Sequence, residues 1–213
     1  MKIRIPALAA ACLALGLYGC TSIETAFNVA THEVSADPVK VSSGTYKLDP
    51  EHWSLLFDVD HFGFSRFVSR FDRMEATLDV DAAAPEKSRV HVIVKAGSIN
   101  TNVPVLDKSL AGAEMFDAAR YPDIVFESTS LTRTGASTGK LTGRLTLRKQ
   151  THPVTLNVVF RGGAANPMTG KETLGFSAEG VLDRSQWGLS AWWPAVGNDV
   201  HIAIQAEFIK TDL

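Results

Sequence analysis

From residue 55 onward, apolar and polar residues alternate with hardly a break, the two-residue period of half-buried strands. Leu55, Phe57, Val59 and His61 face one way, Leu56, Asp58 and Asp60 the other. The same reading puts Met74, Ala76, Leu78 and Val80 on one face of a second strand, and Val90, Val92, Val94 and Ala96 on one face of a third. Further strands carry Ile124, Phe126 and Ser128, then Leu141, Gly143, Leu145 and Leu147, then Val154, Leu156, Val158 and Phe160. Leu174, Phe176, Ala178, Gly180 and Leu182 form the next set, and Val200, Ile202, Ile204, Ala206 and Phe208 the last. Turn signals rich in Gly, Pro and Asn separate these runs, at Ala82-Pro85-Glu86, Thr134-Gly135, residues 149–153, residues 162–170 and residues 193–198. Only residues 102–119 break the period. There Pro104 precedes Leu106 and Leu110, four apart, which predicts a short helix crossing one end of the strand assembly.

Eight sequential antiparallel strands in one all-β domain close most naturally into an up-and-down barrel, which removes exposed edges. A two-sheet sandwich is the runner-up, because periodicity does not prove closure. An eight-stranded barrel is either filled by side chains or holds one small ligand. Ala76, Ala96, Gly143, Ala178, Gly180 and Ala206 fall on inward faces, where a packed core would use larger groups. Against them stand Phe57, Phe126, Phe160, Phe176 and Phe208, which could fill the same space. Strands of about ten residues run roughly 33 Å, so an apolar tube of that length suits a long, thin, apolar molecule.

The ends of the chain add compartment. Residues 1–4 are a short basic stretch, and residues 5–17 are an apolar run too short to span a membrane. The run closes on Leu17-Tyr18-Gly19-Cys20, which resembles a lipobox: residues 1–20 read as a lipoprotein signal peptide with Cys20 as lipidation site. Residues 21–44, rich in Ser, Thr and Ala without a sustained period, read as a tether, and 45–211 as the barrel domain. The two cysteines, Cys12 and Cys20, both lie in the leader, so thiol chemistry and cysteine metal sites are excluded from the domain. The formal charge is −2, and without Lys2 and Arg4 it becomes −4; no basic footprint points to nucleic acid. Thr21 after the cysteine, rather than an aspartate, favours the outer over the inner membrane. The expected location is the periplasmic face of a bacterial envelope, lipid-anchored or soluble.

Few residues offer chemistry. His61 ends an apolar face and can meet a ligand's polar end, or be a core histidine bonded to a carbonyl. Arg66, Lys108 and Arg184 are further head-group candidates, or simply solvated surface charges. Trp187, Trp192 and Trp193 can cap a cavity, anchor at a lipid surface or cover a core edge. His52 and His61 are nine apart, which places them on opposite strand faces, and no metal-ligand spacing appears; neither metal nor cofactor is expected. Ser65 lacks the full nucleophile elbow, so no catalytic residue is assigned.

Three ordered segments resemble one family. Tyr46-Lys47-Leu48-Asp49-Pro50 with His52, followed by Leu55, Phe57, Val59, His61, Gly63, Ser65 and Phe71, is similar to the opening of the YceI-like periplasmic proteins. The stretch from Phe116 through Tyr121-Pro122-Asp123 to Phe126 resembles their middle signature. Gly143-Arg144-Leu145-Thr146-Leu147 with Thr151-His152-Pro153-Val154 resembles their late hairpin. The resemblance implies an extended lipocalin-like antiparallel barrel that binds polyisoprenoid or other long-chain amphiphiles without catalysis. Trp53 stands where the family usually has a small residue, and Ala191-Trp192-Trp193 adds two indoles before the last strand; both could reshape the barrel mouth.

The expected function is therefore carriage, storage or sequestration of a long-chain isoprenoid or fatty amphiphile. Phe57, Val59, His61, Leu78, Val92, Phe126, Gly143, Leu145, Phe160, Phe176, Ala178 and Ile204 are the expected ligand wall. The partners are that amphiphile and the membrane, through Cys20; self-association into a homodimer is left open. The alternatives are an enzyme acting on such a lipid with His61 as acid or base, and a stress-related interaction module whose barrel is filled.

Overall fold

The computed structural model describes residues 23–37 and 41–211; Cys20 and the leader lie outside them. The chain divides after His32 into two units. In the first, part of the stretch read as a tether forms helix α1 (Ile23–Ala30). Its apolar residues Phe27 and Val29 are exposed.

The second unit contains β1 (Gly44–His61), β2 (Ser65–Phe71), β3 (Met74–Val80), β4 (Arg89–Lys95), β5 (Ile99–Asn100), α2 (Pro104–Ala111), β6 (Asp123–Arg133), β7 (Thr138–Leu147), β8 (Gln150–Ala165), β9 (Glu172–Asp183) and β10 (Val196–Lys210). Strands β3, β4, β6, β7, β8, β9 and β10 follow one another as antiparallel neighbours, and β1 pairs with both β3 and β10. The result is the expected closed eight-stranded barrel. Closure gives every ring strand two neighbours, which satisfies its backbone groups on both sides.

Two short strands lie outside that ring, and the alternation did not single them out. Along one edge, β1 pairs first with β3, through Gly44 to Lys47, and later with β2, through Leu55 to His61. Between these halves its register with β10 jumps from Leu48 to Trp53, so residues 49–52 bulge from the ladder. In β2 the inward positions are Phe67, Ser69 and Phe71, while Val68 is exposed. A serine inside and a valine outside blur the period. β5 adds two residues beside β2.

α2 begins at Pro104, where a missing N–H costs nothing. Thr101 donates its backbone N–H (2.7 Å) and hydroxyl (2.6 Å) to Asp107, tying the preceding loop to the first turns. Leu106 and Leu110 face the barrel. The turn between β7 and β8 is two residues, Arg148 and Lys149, both at positive φ (50° and 65°). That geometry matches the strand twist of a tight hairpin, though glycine and asparagine are its usual residues. The strand pairing therefore starts at Gln150 and runs through Pro153, a stretch the sequence reading gave to the turn.

Apolar packing concentrates at the two ends. At one, Tyr46, Leu48, Leu78, Leu174, Ala206 and Phe208 are buried together. At the other, Ile99, Leu110, Met115, Trp187 and Leu189 close over Phe71, Val94 and Phe126.

Candidate functional site

Between these packed ends the barrel encloses a cavity of about 740 Å³, within the roughly 300–1,000 Å³ usual for ligand sites. The phenylalanines do not fill it. They stack along its wall in two groups: Phe57 lies 5.4 Å from Phe71, itself 5.6 Å from Phe116, and Phe160 lies 5.3 Å from Phe176, itself 5.9 Å from Phe208, between ring centroids. α2 contributes Leu106 and Leu110 to the lining, as expected of a helix across one end.

The wall includes Phe57, Val59, His61, Leu78, Val92, Phe126, Leu145, Phe160, Phe176, Ala178 and Ile204 of the expected set. Gly143 is not part of it. A Cβ on Gly143 would come within 2.4 Å of the Phe126 ring and 2.6 Å of the Glu127 carbonyl oxygen. Gly180 is likewise covered by Leu156, 2.7 Å from where its Cβ would be. Ala96 lies in a short 3-10 turn after β4 and is fully buried. Small residues thus have two causes here: Ala76, Ala178 and Ala206 leave space, whereas Gly143 and Gly180 admit a neighbour's side chain.

The wall reaches the surface at both ends of the barrel. At the end where β1 turns into β2, exposed His61, Phe62 and Trp192 line it. There the Phe62 N–H donates to the Ala195 carbonyl at 2.7 Å, joining the hairpin to the loop before β10. The His61 ring stands edge-on to Phe62 (4.8 Å) and tilted to Phe67 (6.1 Å). His61 is therefore a rim residue rather than a buried one. At the opposite end the lining is polar, with Asp81, Ser88, Arg89, Arg133, Ser137 and Thr138. Sequence reasoning missed Arg89 and Arg133 because each sits at a strand terminus, where alternation loses its direction.

The other head-group candidates separate sharply. Arg66 does not line the cavity; it forms an ion pair with Asp58 and also donates to the Asp58 carbonyl oxygen at 3.0 Å. Lys108 is exposed on α2, away from the lining. Arg184 is 7% exposed and does line the cavity. Its guanidinium donates to the carbonyls of Gly197 (2.8 Å), Ala191 (3.0 Å), Val196 (2.8 Å) and Leu189. Burial pulls its pKa below the usual arginine value, a shift the nearby Asp183 partly opposes.

The three tryptophans also take different roles. Trp187 is buried, donates to the Leu145 carbonyl at 3.2 Å and meets the His152 ring at 5.1 Å, so it is part of the floor. Trp192 is half-exposed on the rim, and Trp193 is exposed beside it without touching the cavity. Trp53 donates to the Pro50 carbonyl at 3.2 Å and packs on the far cluster, not at the rim.

One grouping of ligand-type atoms appears that the spacing did not suggest. The β1 bulge brings Asp49, His52 and Glu207 within 4.8 Å of one another. Asp49 accepts from His52 Nδ1 at 2.8 Å and from the Glu51 N–H at 2.9 Å. The hydrogen bond that His52 donates to Asp49 raises the His52 pKa. Burial pushes the Asp49 carboxyl up, but the Glu51 N–H and His52 outweigh it and hold the pKa below the usual value. An odd spacing along a regular strand hides this pair because the strand there is not regular.

Comparison with known proteins agrees with the barrel. Residues 46–208 match the YceI-like domain. A relative from Pseudomonas fluorescens, a UPF0312 protein, is 32% identical over 173 residues, 80% of this chain and 89% of that protein. The solved YceI protein of Campylobacter jejuni superposes with a TM-score of 0.65 at 26% identity, covering 85% of this chain and all of that one (100%). A polyisoprenoid binding domain from Saccharophagus degradans shares the fold at a TM-score of 0.58 and 14% identity, over 78% of this chain and 98% of its own.

Proposed function

Since the chain belongs to the YceI-like family, we propose that its barrel holds one long-chain isoprenoid or similar amphiphile, for transport, storage or sequestration. The observation that carries this is the cavity: about 740 Å³ of space along a wall made mostly of Leu, Val, Ile, Phe and Ala. Each methylene moved from water into such a wall gains about 0.8 kcal/mol. A chain of several isoprene units therefore binds tightly with few polar contacts. The Saccharophagus domain of the same fold is named for binding polyisoprenoids, which supports this ligand class.

Binding rather than turnover fits the rim. Among the described residues the His61 ring has aromatic neighbours, Phe62 and Phe67, and no hydrogen bond or ion pair to a carboxylate. In a triad-type site the base histidine is oriented by such a partner. In the same proposal, a lipidated Cys20 holds the domain at the periplasmic face of the envelope, at the outer membrane.

Native mass spectrometry of protein purified from its own envelope tests the reading without assuming a ligand. The expected spectrum shows one long-chain adduct per barrel, removed by solvent extraction and restored by a polyprenol. Protein that is empty as isolated and also refuses polyprenols would overturn it.

A further inference from the structure

Resting on the lipid-binding reading, we infer that the cavity selects amphiphiles with an anionic head, held against Arg184. A guanidinium has five N–H donors. Four from Arg184 go to the carbonyls of Leu189, Ala191, Val196 and Gly197: Nε gives one, Nη2 two and Nη1 one. The fifth, on Nη1, meets no acceptor among the described residues.

The charge is as conspicuous as the donor. Buried cations are normally paired with an anion, because removing a charge from water is costly. None of the ion pairs among the described residues includes Arg184. Its chain neighbour Asp183 accepts instead from the Ser185 N–H (2.9 Å) and hydroxyl (2.5 Å). Carbonyl dipoles orient the guanidinium but leave its net charge in place. Among the described residues the only carboxylate on the cavity wall, Asp81, belongs to the opposite end and accepts from the N–H groups of Ala83 and Ala84. A carboxylate or phosphate head would supply both the missing acceptor and the missing charge, with its tail along the apolar wall.

Arg89 and Arg133 line the other end and are exposed, so solvent and salt screen them more. Arg89 donates to the carbonyls of Glu86 and Ser88, and Arg133 to that of Ala136. They define the competing position for a head group.

The test compares hexadecanoate with its methyl ester, by displacement of a fluorescent lipid at neutral pH, with hexadecyl phosphate run alongside. A charge-assisted hydrogen bond lost on esterification corresponds to at least about a tenfold weaker affinity for the ester. The exposed pair is removed in the double variant Arg89→Gln/Arg133→Gln, which should keep that preference. Arg184→Met should lose it. Because Arg184→Met also frees the loop before β10, the carbon-13 signal of labelled hexadecanoate in wild-type protein gives an independent reading. Bound at Arg184, the carboxylate should titrate below its value in water. Whichever anionic head binds better, carboxylate or phosphate, identifies the source. Equal affinity for acid and ester, a preference lost in the Arg89/Arg133 variant, or a carboxylate titrating at or above its value in water would overturn the inference. Failure of acid, ester and phosphate alike to bind would instead count against the lipid-binding reading itself.

Discussion

The ring of Phe126 lies over the backbone of Gly143 on the adjacent strand, so that a methyl group at Gly143 would sit 2.4 Å from it. Glycine there is a condition for the Phe126 rotamer, and Phe126 in turn forms part of the cavity wall. Gly143→Ala should therefore overpack the barrel, costing about 1–3 kcal/mol, because the Glu127 carbonyl on the same side is backbone and does not move aside. The midpoint of chemical denaturation measures this. A variant as stable as the parent would mean that the ring is not fixed over the glycine.

Ala178 presents the opposite case. It lines the cavity, so a larger side chain there has space to enter. Ala178→Phe should reduce the amount of lipid bound per barrel several-fold while shifting stability by less than about 1.5 kcal/mol. Titration with a fluorescent polyprenol, set beside a denaturation curve, separates the two effects. If Ala178→Phe instead unfolds easily and binds lipid as before, the volume beside it is not where the ligand lies.

The lipobox-like Leu17-Tyr18-Gly19-Cys20 leads to an expectation about the mature N-terminus. Cells making the parent chain should yield a protein beginning at a diacylated Cys20 and sedimenting with membranes. Cys20→Ser should release the domain in soluble form, since one or two acyl chains supply the anchoring. Identical fractionation of the two, with cleavage at another site, would remove the anchor from the proposal.

What the sequence showed and what it hid have one physical origin. Alternation marks half-buried strands, and it located β3, β4 and β6 to β10, although Ile93 breaks it in β4 and register shifts interrupt β6 after Ser128 and β8 after Phe160. Eleven of the twelve residues expected on the wall lie along the cavity, because an inward position on a barrel strand faces the lumen. It did not reveal β2, where Ser69 points inward and Val68 outward, or the changeover of β1 from β3 to β2, which depends on a bulge. Arg184 was legible as a charged residue near a strand end, but not as buried. Its four acceptors come from residues 189–197, and only the folded loop gathers them.

That same bulge supports a prediction about pH. Within it, Asp49 and His52 are linked at 2.8 Å, with the carboxylate nearly buried and the imidazole exposed. The hydrogen bond donated to Asp49 raises the His52 pKa from 6.5, with a smaller contribution from the charge of Glu207 on the facing strand β10. A group whose folded pKa is raised contributes stability fully below its unfolded pKa, and the contribution disappears as pH rises through the folded value. For Asp49 burial acts upward, but the Glu51 N–H and His52 hold its pKa below 3.8. Its contribution is present above that value and is lost as pH falls through the depressed one. Both contributions are at full strength between about 3.8 and 6.5. His52→Asn should therefore lower the unfolding midpoint most near about pH 5.5, and the gap to the parent should narrow as pH rises through the folded pKa of His52, above which the imidazole is neutral in both states. Thermal melts of both proteins across that range measure the gap. A gap independent of pH would show that His52 acts in the bulge through packing or a neutral hydrogen bond, and one that widens with pH would contradict the charge pairing outright.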